Sequence, residues 1–209
     1  MESMEPELLA VLVTASVVAG GLVLRQRGKR LVFPGVTIAI AAVTLVVSVI
    51  GEFDRGILDL LGRDEFGLTQ QGEWWRIVTP LFVQDGGWAG LIFNLVALLV
   101  LGTLVESIFG RGMLGVVYFA GGLISEAFAY TLLPDQGFAG NSVANMGLAG
   151  LIGIVAVTTA AVPARILGGL SVVAGAWLVF TGNLHGIGYV VGVLAGVAVV
   201  LVHSRERRK

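Results

Sequence analysis

Apolar residues in this chain come in long uninterrupted runs rather than alternating stripes. Stretches nearly free of charge lie near 8–24, 32–51, 87–105, 113–133, 141–162, 166–182 and 186–202. Each is close to the length an α-helix needs to cross a hydrocarbon core about 30 Å thick. Neither the period of a half-buried strand nor that of a one-faced surface helix accounts for such runs, so the pattern predicts seven transmembrane helices. Glu2, Glu5 and Glu7 precede the first run. That charge is opposite to the basic leader of a signal peptide, so the run is expected to be a retained span.

Between the second and third runs, residues 52–86 form the one long segment expected not to span. Ile57, Leu58, Leu60 and Leu61 alternate there with Asp54, Asp59 and Arg63 at helical spacing, the pattern of a short helix lying in the membrane interface. Trp74, Trp75 and Trp88 suit the same depth, where an indole keeps one edge wet.

Basic residues orient the spans. Arg25, Arg27, Lys29 and Arg30, then Arg111, then Arg165, then Arg205, Arg207, Arg208 and Lys209 all fall on one side of a seven-span arrangement. Ten of the thirteen Lys and Arg residues therefore share a side, and the positive-inside rule makes that side cytoplasmic. The expectation is a multi-pass cell-membrane protein with its N-terminus outside and its C-terminus in the cytoplasm. Six or eight spans would break the alternation.

Composition narrows the chemistry. Of the 209 residues 56% are hydrophobic and 13% charged, with mean hydropathy +0.92 and net charge −1. A soluble domain carries about 25% charged residues, and the balance exerts no global pull on nucleic acid. The absence of cysteine removes thiol catalysis, disulfides and cysteine-ligated metals. With two histidines, His185 and His203, multi-histidine metal centres are not expected either. No cofactor or metal is anticipated.

In a membrane chain, functional signal concentrates in polar residues at membrane depth. Here these are Asn94, Glu106, Glu126, Ser142, Asn145, Asn183 and His185. The plain alternative for each Asn or Ser is an interhelical hydrogen bond, worth about 0.6 kcal/mol on average. His185 heads the series Gly188, Gly192, Gly196, which lines one helical face and admits a neighbouring helix closely. His203, in the basic tail, reads as a solvated terminal residue. Ser142 lies where a short outer loop re-enters the membrane as a helix. Backbone N–H groups and the positive end of a helix dipole would surround it there. The plain alternative is a helix-capping serine. Ser142 and His185 can share a depth on adjacent helices, as a nucleophile and its general base must. Membrane-embedded acyl transfer is the leading chemistry.

These residues resemble the rhomboid family of intramembrane serine proteases, over roughly Val32 to the C-terminus. Trp75-Arg76 with Thr79-Pro80 and Phe82, then Phe93-Asn94 with Gly102 and Glu106, resemble two of its ordered motifs. Gly140-Asn141-Ser142 with Gly147, Leu148 and Gly150, and His185 with Gly188 and Gly192, resemble the other two. The resemblance implies an all-α fold: a six-helix core over 32–209 with the long outer loop 52–86, preceded by one additional N-terminal transmembrane helix and a basic loop over 1–31. It implies a Ser142–His185 dyad, Asn94 with the Ser142 N–H as oxyanion donors, Trp75 and Arg76 bracing the outer loop, and a structural Glu106. The implied partners are transmembrane protein substrates within the lipid bilayer, with neither metal nor nucleic acid. Four positions depart from the family pattern. Gly90 and Gln84 stand where histidines are usual, Val143 replaces a glycine after the serine, and Met146 takes an aromatic position. A catalytically silent relative that binds transmembrane helices is the alternative. A transporter with Glu126 and the asparagines lining a path is more distant, since no broken-helix pair or internal symmetry accompanies it.

Overall fold

In the computed structural model, residues 5–132 and 140–206 are described. The 133–139 part of the loop before Ser142, Glu2, the side chain of His203 and the tail residues 207–209 lie outside the described residues. Nine α-helices and no strand occur among those described. They are α1 (Glu5–Gln26), α2 (Gly35–Phe53), α3 (Arg55–Leu61), α4 (Glu65–Gln70), α5 (Gly87–Phe109), α6 (Arg111–Thr131), α7 (Ser142–Thr159), α8 (Val162–Phe180) and α9 (Leu184–Glu206). Seven of them are long and apolar enough to cross a membrane, all except α3 and α4.

The spans surround α7. Buried residues make up 72% of its spanning window, against 28–44% in the other six. Its sequence explains this, because Ala144, Gly147, Ala149, Gly150 and Gly153 leave room for neighbours all round. It packs most extensively on α9, and also on α8, α6, α1 and α5. On the α9 side the approach leaves no space for side chains. A Cβ on Gly188 would strike the Val143 carbonyl, and one on Gly192 the Gly147 carbonyl. The additional helix α1 lies against α8, α7 and α5 through Leu12, Ala15 and Ala19.

Between α2 and α5 the structure has more than the single interfacial helix expected: α3, α4 and two 3-10 turns (Trp74–Ile77 and Thr79–Phe82). Asp54 and Asp64 accept hydrogen bonds from Gly56 N and Phe66 N as N-caps and so start two short helices. The C-terminal end of α3 is tied off by side chains. Arg76 Nη1 donates to the Asp59 and Gly62 carbonyls, Trp75 Nε1 to Leu60, and Thr79 Oγ1 to Leu61. A cation and two further donors on the carbonyls at a helix's end satisfy groups the helix itself cannot. Glu106, buried at the opposite end of the bundle, takes the backbone N–H and hydroxyl of Thr37, both at 2.7 Å. It thereby caps α2 from a neighbouring helix.

Candidate active site

Ser142 and His185 open their helices at the bundle end that carries 52–86, and they meet across the α7–α9 seam. Ser142 Oγ lies 2.9 Å from His185 Nε2. Ser142 is the first residue of α7, and the N-cap position belongs to Asn141. The hydroxyl therefore faces the imidazole rather than capping the helix.

The other imidazole nitrogen is held just as firmly. Asn183, immediately before α9, accepts from the His185 backbone N–H at 2.9 Å and meets His185 Nδ1 at 2.8 Å with the same oxygen. The first of these bonds is an N-cap, with a side-chain oxygen on the N2 amide. Glu5 Oε1, from the start of α1, stands 3.3 Å from the same Nδ1. Both neighbours of Nδ1 present oxygen acceptors, so Nδ1 carries the proton of the neutral ring. Nε2 is then left to accept the Ser142 hydroxyl. Asn183 drew notice in the sequence only as a polar residue at depth. Its place two residues before a histidine at a helix start was the signal for its capping role.

Beside the serine runs a chain of amides. Asn94 Nδ2 donates to Gln84 Oε1 at 2.8 Å, and Gln84 Nε2 donates to Asn141 Oδ1 at 2.9 Å. Asn145 Nδ2 holds the Asn94 carbonyl at 3.0 Å. Gln84, one of the departures from the family pattern, is fully engaged and 2% exposed. Gly140 has φ +150°, backbone that a side chain rarely adopts. A Cβ there would lie 3.4 Å from Gln84 Oε1 and 3.5 Å from Ser142 Oγ. The bare glycine thus keeps open a gap between the amide chain and the hydroxyl.

Gly90, one turn before Asn94, has open space where a Cβ would point. Val143 turns away from the dyad into a small apolar cluster with Leu81, Ala129 and Leu184, and Met146 joins the main core. Glu126 does not line a path: Arg63, from the connection between α3 and α4, grips it with Nε at 2.8 Å and Nη2 at 2.9 Å. Both are almost wholly buried, and such a two-pronged pair is a strong geometry for a desolvated ion pair.

Comparison with known proteins now bears on this geometry. The sequence profile of the Rhomboid domain matches residues 71–206, well over half of the chain. The chain belongs to the Rhomboid family. Rhomboid protease GluP of Bacillus subtilis (strain 168) is 36% identical over 92 residues, covering 43% of this chain and 18% of that protein. Putative rhomboid protease YdcA of the same organism is 32% identical over 81 residues, covering 38% of this chain and 40% of that protein. The chain thus spans less than half the length of either relative. The Rhomboid match takes in Trp75, Arg76, Asn94, Glu106, Gly140, Ser142, His185, Gly188 and Gly192, and it leaves α1 to α4 outside. Family and apolar helices together make this a multi-pass membrane protein.

Proposed function

We propose that this Rhomboid chain is an intramembrane serine endopeptidase that cleaves transmembrane segments of other proteins with a Ser142–His185 pair. The observation that carries the reading is the 2.9 Å approach of Ser142 Oγ to His185 Nε2, with Nδ1 already engaged by Asn183. A serine hydroxyl is a weak nucleophile until a positioned base accepts its proton.

In the proposed reaction Ser142 Oγ bonds to the scissile carbonyl carbon as its proton passes to Nε2. The tetrahedral oxyanion takes hydrogen bonds from the Ser142 N–H and from Asn94 Nδ2, whose second hydrogen is not needed by Gln84. Collapse breaks the C–N bond, and Nε2 returns the proton to the departing amine. Water, deprotonated by the same nitrogen, then attacks the Ser142 ester, and as the acyl C–O bond breaks that nitrogen returns the proton to Ser142 Oγ. Gln84 and Asn145 position Asn94, and Trp75 and Arg76 brace the covering loop. The distribution of Lys and Arg supports an orientation with the dyad end outside and the C-terminus in the cytoplasm, in which water reaches Ser142 from the outer face.

The test is cleavage of a model transmembrane substrate by the reconstituted full chain. Ser142→Ala and His185→Ala are each expected to lower the rate at least about a thousandfold. Equal rates from wild type and both variants would end the protease reading.

A further inference from the structure

The dyad leaves one neighbour without a role. Glu5 sits at the first turn of α1, a helix outside the Rhomboid match. Nevertheless its Oε1 lies 3.3 Å from His185 Nδ1. This approach follows from how α1 is anchored. Ser16, three turns along α1, shares a 2.7 Å hydrogen bond with Ser171 of α8. Ser171 in turn shares one of 2.8 Å with the hydroxyl of Tyr189, which lies one turn below His185 on α9. At the far end, Gln26 Oε1 accepts from Ala161 N at 2.8 Å. The helix is thus tied near its middle, through Ser171, to the helix that carries the histidine, and again at its far end. Its depth is set independently of Glu5.

We infer that Glu5 is a positioning residue for His185, a carboxylate lent by the additional N-terminal helix that turns the pair into a three-member relay. This rests on the protease reading above. Asn183 and Glu5 divide the work at Nδ1 by their chemistry. The neutral Asn183 amide is the nearer acceptor and fixes the ring's tautomer and direction. It gains less than a carboxylate does when the ring becomes charged. Once Nε2 has taken the Ser142 proton, the imidazolium faces a carboxylate across Nδ1–H, and the attraction grows as charge develops. An interaction stronger in the transition state than in the ground state accelerates the chemical step. The Glu5 side chain is 42% exposed, so water screens part of this attraction. The expected contribution is therefore about tenfold, the low end for a hydrogen bond to a charged group.

Glu5→Gln keeps the shape and removes the charge, while Glu5→Ala removes both. Glu7→Gln, two residues on and exposed, is the control. The full-length chain is reconstituted, sites are counted from the endpoint of fluorophosphonate labelling, and both the labelling rate and substrate turnover are expressed per site. Glu5→Gln and Glu5→Ala are each expected to lower kcat and the labelling rate about tenfold, with KM within twofold of wild type. Glu7→Gln should match wild type. A purely structural Glu5 would reduce the number of sites and leave the rate per site unchanged, which would overturn the inference. So would a Glu5→Gln variant with wild-type rates, or one with raised KM and unchanged kcat. A wild type that neither cleaves nor labels at Ser142 would overturn the protease reading together with this one. An active wild type beside an unaffected Glu5→Gln would overturn this inference alone.

Discussion

Two helices, α9 and α1, pack on α7, and they do so differently. Along α9 the contact is backbone to backbone: Gly188 lies on the Val143 carbonyl and Gly192 on that of Gly147. Along α1 side chains make the contact, and Ser16 Oγ reaches the Ala149 carbonyl of α7 at 3.4 Å. A Cβ on Gly20 would meet side chains, Ile152 Cγ2 of α7 at 3.2 Å and Leu104 Cδ1 of α5 at 3.0 Å. One seam has no slack and holds Ser142 against His185. The other is cushioned by groups that can shift. In a bilayer, where lipid is as apolar as leucine, close van der Waals packing and interhelical hydrogen bonds must supply the specificity that water supplies elsewhere. The proposed catalytic pair lies on the seam that cannot slide, and the proposed supporting carboxylate comes from a helix held in place by hydrogen bonds to α8 and to Ala161.

The sharpest way to break this contrast is Gly192→Val. Its side chain has only the Gly147 carbonyl and the Leu151 amide to displace, so the helices must separate. A loss of at least about 3 kcal/mol is expected, the upper part of the overpacking range. Ser142 labelling should disappear along with the cooperative unfolding transition. Ser16→Ala tests the other seam. It removes the hydroxyl that meets the Ala149 carbonyl of α7 and Ser171 of α8 but leaves Ser171 bonded to Tyr189. About 0.6 kcal/mol is expected, the average for an interhelical hydrogen bond in a membrane protein, measured as a small shift in a denaturation midpoint. Gly21→Ala should do least. A Cβ there meets nothing within 4 Å, and a change within about 0.5 kcal/mol of wild type is expected. If Gly192→Val and Ser16→Ala had similar effects, the two seams would not differ as described.

Much of the architecture was legible in the chain. All seven spans appear, with ends displaced by a few residues: α2 begins at Gly35 rather than near 32, and α1 reaches Gln26 rather than 24. Hydrophobic runs mark where a chain can cross a bilayer, while caps decide where a helix stops. Asp54 and Asp64 accordingly divided the 52–86 segment into more pieces than its apolar spacing predicted. Ser142 and His185 stood out because so few polar groups occur at that depth. Glu126 stood out for the same reason and was misleading, because its partner Arg63 lies 63 residues earlier in the chain.

What the sequence by itself determined is the class and the parts: seven membrane-long apolar helices, one histidine able to lie within them, and a serine at a helix start. Tertiary structure decided which polar groups meet: Arg63 with Glu126, Gln84 with both Asn94 and Asn141, and Asn183 and Glu5 at the second nitrogen of His185. The reason is physical. A helix that is apolar all round carries no stripe to show which face turns inward. Its rotation is therefore set by the close fit of small residues against neighbouring backbones, and that fit exists only once the helices have assembled.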